Sequence, residues 1–421
     1  MDRRVISGLG VVLLGAFAIC TAQPHSSVAA QKLETTGAFF TGEYDNLFTK
    51  LLGKSEEEVN LRVERAFDRL FYGDDSTERV YFPVEHGMAY IEDILHRDVR
   101  TEGMSYGMMI AVQMGKKMEF DRLWKWAKTH MQHQAGPYKT FFAWHCTPEG
   151  AMIDSGAAPD GEEWFVMALL FASARWGDFH GIFHYRREAN AILDAMLNKE
   201  SAPENNGRVK NMFNRDEHQV VFVPSNGGAA FTDPSYHLPH FYELWSRWAG
   251  KENQFWSEAV WASRRLLKSA AHPVTGLAPD YARFDGTPID PWNGGHADFR
   301  FDAWRVAMNV GVDYAWFSGD PWEVTQSNRL LEFFHSEGRY GNQYTLEGKK
   351  LAGDHSPGLV AMNAVACLSS TGPYTKDFVE EFWNTPVPIG PYRYYDGLLY
   401  MLGLLQVSGK FRIYGPPDSA R

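Results

Sequence analysis

Cysteine is scarce, with three in 421 residues, and no Cys/His spacing reads as a zinc site. Basic runs are also missing, and the formal net charge is −11, which argues against nucleic acid or an anionic membrane as partner. An apolar segment long enough to cross a bilayer is absent from the N-terminal region. Val11–Cys20 (VVLLGAFAIC) runs for about ten residues, where a spanning helix needs about twenty. No Pro/Gly-rich linker marks a second domain.

The same N-terminal stretch does read as an export signal. Arg3 and Arg4 supply the positive region, and Val11–Cys20 the apolar one. Small-residue cleavage sites follow at Cys20-Thr21-Ala22 and at Val28-Ala29-Ala30. Residues 1–30 are therefore assigned to a signal peptide and 31–421 to one domain, exported to the periplasm or beyond. A lipid-anchored Cys20 and a twin-arginine signal at Arg3-Arg4 are the other readings of this stretch. Once the signal is gone Cys146 and Cys367 remain, as one bridge or as two buried thiols.

What the sequence has in quantity is apolar and aromatic surface: 44% hydrophobic residues and 14 Trp, enough for a large core with rings to spare for stacking on sugars. The apolar residues recur at helical spacing in pairs of segments. The pairs are 43–52 with 55–71, 102–118 with 120–132, 161–176 with 181–198, 235–249 with 253–270, 301–318 with 321–336, and 357–370 with 375–384. Segment 393–407 closes the series. In most pairs the first segment is apolar nearly all round, as in GMSYGMMIAVQMG, and the second is amphipathic, as in FHYRREANAILDAMLNK. That contrast predicts inner helices packed by outer ones. Six hairpins imply a closed ring or an open solenoid. The long aromatic loops 72–101, 133–160, 199–234 and 271–300 favour the ring, with a cleft at one end.

Three acids occupy equivalent places at the starts of inner helices: Glu102 in RTEG, Asp160 in APDG and Asp302 in FDAWR. Helix N-termini attract acids as caps, so each alone would be unremarked. Together, each after an aromatic loop, they match the carboxyl pair that glycoside hydrolysis requires, one protonated and one ionised. Glu102 has Met104, Tyr106 and Met108 nearby, an apolar setting that would raise its pKa. Arg305, one helical turn after Asp302, would orient that carboxylate or keep it ionised.

The runs RTEGMSYGMMIAVQM, APDGEEWFVMALLFASARWGD and FDAWRVAMNVGVDYAWF resemble glycoside hydrolase family 8, over about residues 37–415. The resemblance implies an all-α (α/α)6 toroid and an inverting mechanism that needs no metal and no cofactor. It makes Glu102 the proton donor, Asp302 the base and Asp160 the acid that distorts the sugar at the cleavage point. The family's usual motif around this last acid resembles A-S/T-D-A/G-D. Pro159 and Glu162 depart from it, which shifts the likeness toward the branch of reducing-end xylose-releasing exo-oligoxylanases and related endoxylanases. TDPSYHLPHFYELWSRWA (232–249) is similar to the same branch.

Trp144, Trp164, Phe301, Tyr394 and Tyr395 are the candidates for stacking on sugar, each with a core alternative, and Tyr236 for hydrogen bonding at the cleavage subsite. In the exo-acting branch a loop histidine walls off the reducing end, a part assigned here to His355 in AGDHSPG. The expected ligand is a xylo-oligosaccharide or xylan and the expected state a monomer, with no membrane contact after signal removal. Endoxylanase, endoglucanase, chitosanase and a non-catalytic sugar-binding toroid are the competing readings.

Overall fold

The computed structural model describes residues 36–416; the signal-peptide reading of 1–30 lies outside them. The helices are α1 (Ala38–Thr41), α2 (Leu47–Leu52), α3 (Glu56–Tyr72), α4 (Thr101–Met114), α5 (Lys117–Trp126), α6 (Pro159–Trp176) and α7 (Tyr185–Asn198). They continue with α8 (Pro239–Trp248), α9 (Asn253–Ala270), α10 (Trp304–Phe317), α11 (Trp322–Ser336), α12 (Pro357–Ala366), α13 (Thr375–Asn384) and α14 (Arg393–Val407). Among the described residues, β-structure is confined to short antiparallel pieces in the loops, such as Tyr81–Val84 on Met88–Ile91.

The chain forms the predicted (α/α)6 toroid. Helices α4, α6, α8, α10, α12 and α14 make the inner ring, and nearly every residue of α4, α6, α12 and α14 is buried. Neighbours pack α14 on α4, α4 on α6, α8 on α10, α10 on α12 and α12 on α14. Trp164 of α6 meets Phe241 of α8 edge to face, with ring centroids 5.0 Å apart. The outer helices show one apolar face. In α3 it comprises Val59, Val63, Ala66, Phe67, Leu70 and Phe71, which is helical spacing. A capping box at Ser55 and Glu58 starts α3.

One pairing differs from the sequence reading. Segments 43–52 and 55–71 are not an inner–outer hairpin. The six-residue α2 ends at Gly53, in the left-handed region at φ 69°, and packs on α13. The sixth hairpin joins the two ends of the chain, with α14 inside and α3 outside. Gly397 of α14 seats against Leu70 of α3, where a Cβ would come within 2.8 Å of the leucine. Closing the ring through distant segments leaves no open solenoid end.

Cys146 and Cys367 are both buried and unpaired, so the two-thiol reading holds. No helix among the described residues is long and apolar enough to cross a membrane.

Candidate active site

The starts of α4, α6 and α10 converge on one guanidinium. Glu102 lies in the first turn of α4 and Asp160 in the first turn of α6, while Asp302 sits in the turn just before α10. The residue after each of the first two acids is glycine for a reason of space. A Cβ at Gly103 would strike the ring of Tyr394, and one at Gly161 would come within 2.5 Å of the Thr101 hydroxyl oxygen. Inner helices can therefore crowd together where the acids project.

Arg305, buried in the first turn of α10, ties the acids together. Its Nη1 donates to Glu102 Oε2 at 2.8 Å, to the Tyr106 hydroxyl at 3.0 Å and to Asp160 Oδ2 at 3.4 Å. Its Nη2 reaches Asp302 Oδ1 at 2.9 Å and donates to Ser235 Oγ at 2.9 Å. The Tyr236 ring lies under the guanidinium at 5.6 Å. The sequence spacing predicts Arg305 as the partner of Asp302, and the fold adds Glu102 and Asp160 to its grip.

The carboxyls differ in setting. Burial pushes the Glu102 carboxyl up to about 7; Arg305 pulls it down, and Asp160 and Asp302 push it further up. Tyr394 donates its hydroxyl to Glu102 Oε1 at 3.0 Å. Asp160 is raised by burial to about 6, against the pull of Arg305, and its Oδ1 accepts from the Gly161 N–H at 2.8 Å. Asp302 is the open member, with 33% of its side chain exposed against 16% for Glu102 and 10% for Asp160. Glu102 and Asp302 both line a cavity of about 700 Å³, walled by Leu95, Phe301, Trp304, His355 and Tyr392.

The aromatic candidates divide. Phe301 is exposed in the cavity, and Tyr395 lines it half-buried while donating its hydroxyl to the Phe301 carbonyl at 2.8 Å. Trp164 is a correction. It is 2% exposed, enclosed edge-on by Tyr106 and Phe241, and presents no face to a ligand. Tyr394 is a second one: its ring is buried against Gly103, and what it offers is the hydroxyl on Glu102. Trp144 is half-buried, with His145 stacked on its ring at 4.6 Å, and its carbonyl accepts from the Thr101 N–H at the start of α4. Tyr236, 6% exposed, sits in the Pro234–Tyr236 turn with its ring beneath Arg305.

His355 lines the cavity, yet both ring nitrogens are engaged. Nδ1 meets the Tyr340 carbonyl at 3.0 Å and Nε2 meets Glu381 Oε1 at 2.9 Å. Both partners only accept, so the ring that makes both bonds is the imidazolium. The Glu381 hydrogen bond accordingly raises the His355 pKa.

Tyr106, Ser235, Asp233 and Asp280 had no assigned part. Ser235 lies in the quoted TDPSY run. Its N–H donates to Asp233 Oδ1 at 2.7 Å and its carbonyl accepts from Asn309 at 2.7 Å, which fixes the hydroxyl that receives Arg305. Helical phase puts Tyr106 one turn after Glu102, and its apolar neighbours hid the polar use of its hydroxyl.

A buried carboxyl that keeps its proton near neutrality and an open carboxylate held by arginine, sharing one cavity inside a helical toroid, define a glycosidase active site. The comparisons agree. Residues 91–409 match the family described as Glycosyl hydrolases family 8, and the chain belongs to that family. It is 48% identical over 385 residues to the reducing-end xylose-releasing exo-oligoxylanase Rex8A of Paenibacillus barcinonensis, covering 90% of this chain and 98% of that one. The structure of Rex8A complexed with xylose superposes with a TM-score of 0.86 at 47% identity, over 90% of this chain and 99% of the other. A xylanase of the family from Teredinibacter turnerae, a catalytic mutant with xylohexaose, superposes at 0.86 and 45% identity, over 90% and 100% of the chains.

Proposed function

We propose that this hydrolase cleaves β-1,4-xylosidic bonds with inversion, releasing xylose from the reducing end of xylo-oligosaccharides, after export directed by residues 1–30. The observation that carries the chemistry is the division of one guanidinium between Glu102 and Asp302, both of which line a single cavity. Glu102, protonated up to about pH 7, gives its proton to the departing oxygen. Asp302 takes the proton of a water that attacks from the opposite face. Asp160, bonded to the same nitrogen as Glu102, takes the part of the third acid, which distorts the sugar at the cleavage point.

Xylan as substrate and reducing-end action rest on the relatives named above and on His355. Pinned as a cation between Tyr340 and Glu381, His355 is a fixed wall of the cavity. An endo-acting xylanase with the same chemistry is the second reading, and the Teredinibacter protein that this chain resembles is a xylanase. A time course on xylo-oligosaccharides and their borohydride-reduced forms separates the two. The exo reading expects xylose from the free chains and sparing of the reduced ones. Equal cleavage of both would establish endo action.

A further inference from the structure

The turn that delivers Asp302 has no ordinary helix cap. The N-cap residue of α10 is Ala303, which has no side chain able to accept a hydrogen bond. The Trp304, Arg305 and Val306 N–H groups instead bond back to the Phe301, Asp302 and Ala303 carbonyls, and the Ala303 N–H itself is taken by a residue of the preceding loop. Asp280, 5% exposed, accepts the Ala303 N–H on Oδ1 at 3.2 Å, and its Oδ2 meets His296 Nδ1 at 3.3 Å. The His296 ring stacks on Tyr281 at 4.2 Å, and its carbonyl accepts from the Tyr281 N–H at 2.9 Å. The peptide joining Asp302 to Ala303 thus ends on a carboxylate whose other oxygen is held by a histidine.

We infer that Asp280 and His296 act as a positioning dyad for Asp302, fixing the 302–303 peptide and balancing the charge beside the base as it takes up a proton. This rests on Asp302 being the base. A neutral acceptor such as asparagine would suffice to cap the Ala303 N–H. A carboxylate paired with a histidine 30% exposed to solvent also brings in an imidazole that can take up a compensating proton. Other charges bear on the pair. Asp290 and Asp302 both raise His296, after the larger effect of its bond to Asp280 and against burial. Asp280 is lifted to about 6 by burial, with His296 opposing and Asp302 adding. Asp233 is raised well up, chiefly by burial and then by Asp302, with Arg305 opposing. Tyr281 completes the surroundings and is raised first by burial, then by Asp233, Asp302 and Asp280.

The test is the pH profile of kcat on xylotriose for Asp280→Asn, His296→Gln and His296→Phe. Each is expected to lower kcat about tenfold with KM unchanged, because a displaced base loses alignment with its water. The acid limb, which reports ionisation of the base, should move up in the two histidine variants, which lose the imidazole that can carry the balancing charge. His296→Phe keeps the stack on Tyr281, so a loss of folding there is not expected. If Asp280→Asn does not fold, the two histidine variants carry the test. Wild-type kcat and an unmoved limb in the folded variants would overturn the inference. Asp302→Asn distinguishes this from failure of the functional reading. Unimpaired turnover in Asp302→Asn removes Asp302 as the base, whereas an inactive Asp302→Asn beside wild-type dyad variants removes the dyad alone.

Discussion

Two buried arginines in this toroid each hold three carboxylates, and they do so in different ways. Arg264 on α9 grips Asp313 of α10 with both edges of its fork, Nε to Oδ2 at 2.7 Å and Nη2 to Oδ1 at 2.9 Å. Glu243 sits at 3.2 Å and Glu323 at 3.9 Å. Asp313 is 0% exposed, and a Cβ at Gly319 would strike the guanidinium, so the helix joint closes over the pair. Arg305 splits its fork, giving one nitrogen to Glu102 and Asp160 and the other to Asp302, beside a cavity. A bidentate pair satisfies both partners and stabilises a joint between helices. The divided fork leaves Asp302 an oxygen to spare beside the cavity, while the second oxygens of Glu102 and Asp160 take the Tyr394 hydroxyl and the Gly161 N–H.

Substitutions can break that contrast, and the largest effects belong to the open cluster. Glu102→Gln and Asp302→Asn should each lower kcat on xylotriose by about 10²–10⁴-fold while leaving the melting temperature near wild type, as steady-state kinetics and thermal scans would show. Arg264→Met should do the opposite, costing about 3–5 kcal/mol in denaturant unfolding because Asp313 is left buried without its partner. Its turnover per folded molecule should stay near wild type. Arg305→Lys keeps a cation but cannot span two acids, and should lower kcat about ten- to a hundredfold.

The smallest effects are those of pH. The acid must be protonated to act, so kcat/KM should fall as pH rises through the Glu102 value of about 7. The closed cluster shows itself in stability. Glu323 is raised well above the usual carboxylate range, by burial first and then by Asp313; outside that cluster, Glu162 and Glu163 on α6 are raised likewise, chiefly by burial. Groups whose folded pKa is raised contribute stability in full below their unfolded pKa, and that contribution fades as pH climbs through the folded value. The unfolding midpoint should therefore be lower at pH 9 than at pH 5.

The two clusters were not equally legible in the sequence. Glu102, Asp160 and Asp302 stand at the starts of apolar helices, and Arg305 follows Asp302 by one turn, all local relations that periodicity reveals. The bond from Arg305 to Glu102 joins residues 203 apart, and no spacing rule reaches that far. The same limit hid the sixth hairpin, since sequence-adjacent helices are the default pairing and α3 finds α14 instead. Trp164 and Tyr394 were misread because inner helices are apolar all round. Such a pattern does not reveal which ring turns to the cleft and which to a neighbouring helix. Asp280 lay in a loop without periodicity, and only its bond to the Ala303 N–H reveals its part.

The central claim is that the split fork of Arg305 sets Glu102 and Asp302 apart as acid and base, with a water between Asp302 and the sugar. Proton NMR during hydrolysis of xylotriose tests it directly by following the newly formed reducing end before mutarotation. The account predicts that this end appears first as the α-anomer; first appearance as the β-anomer would contradict it.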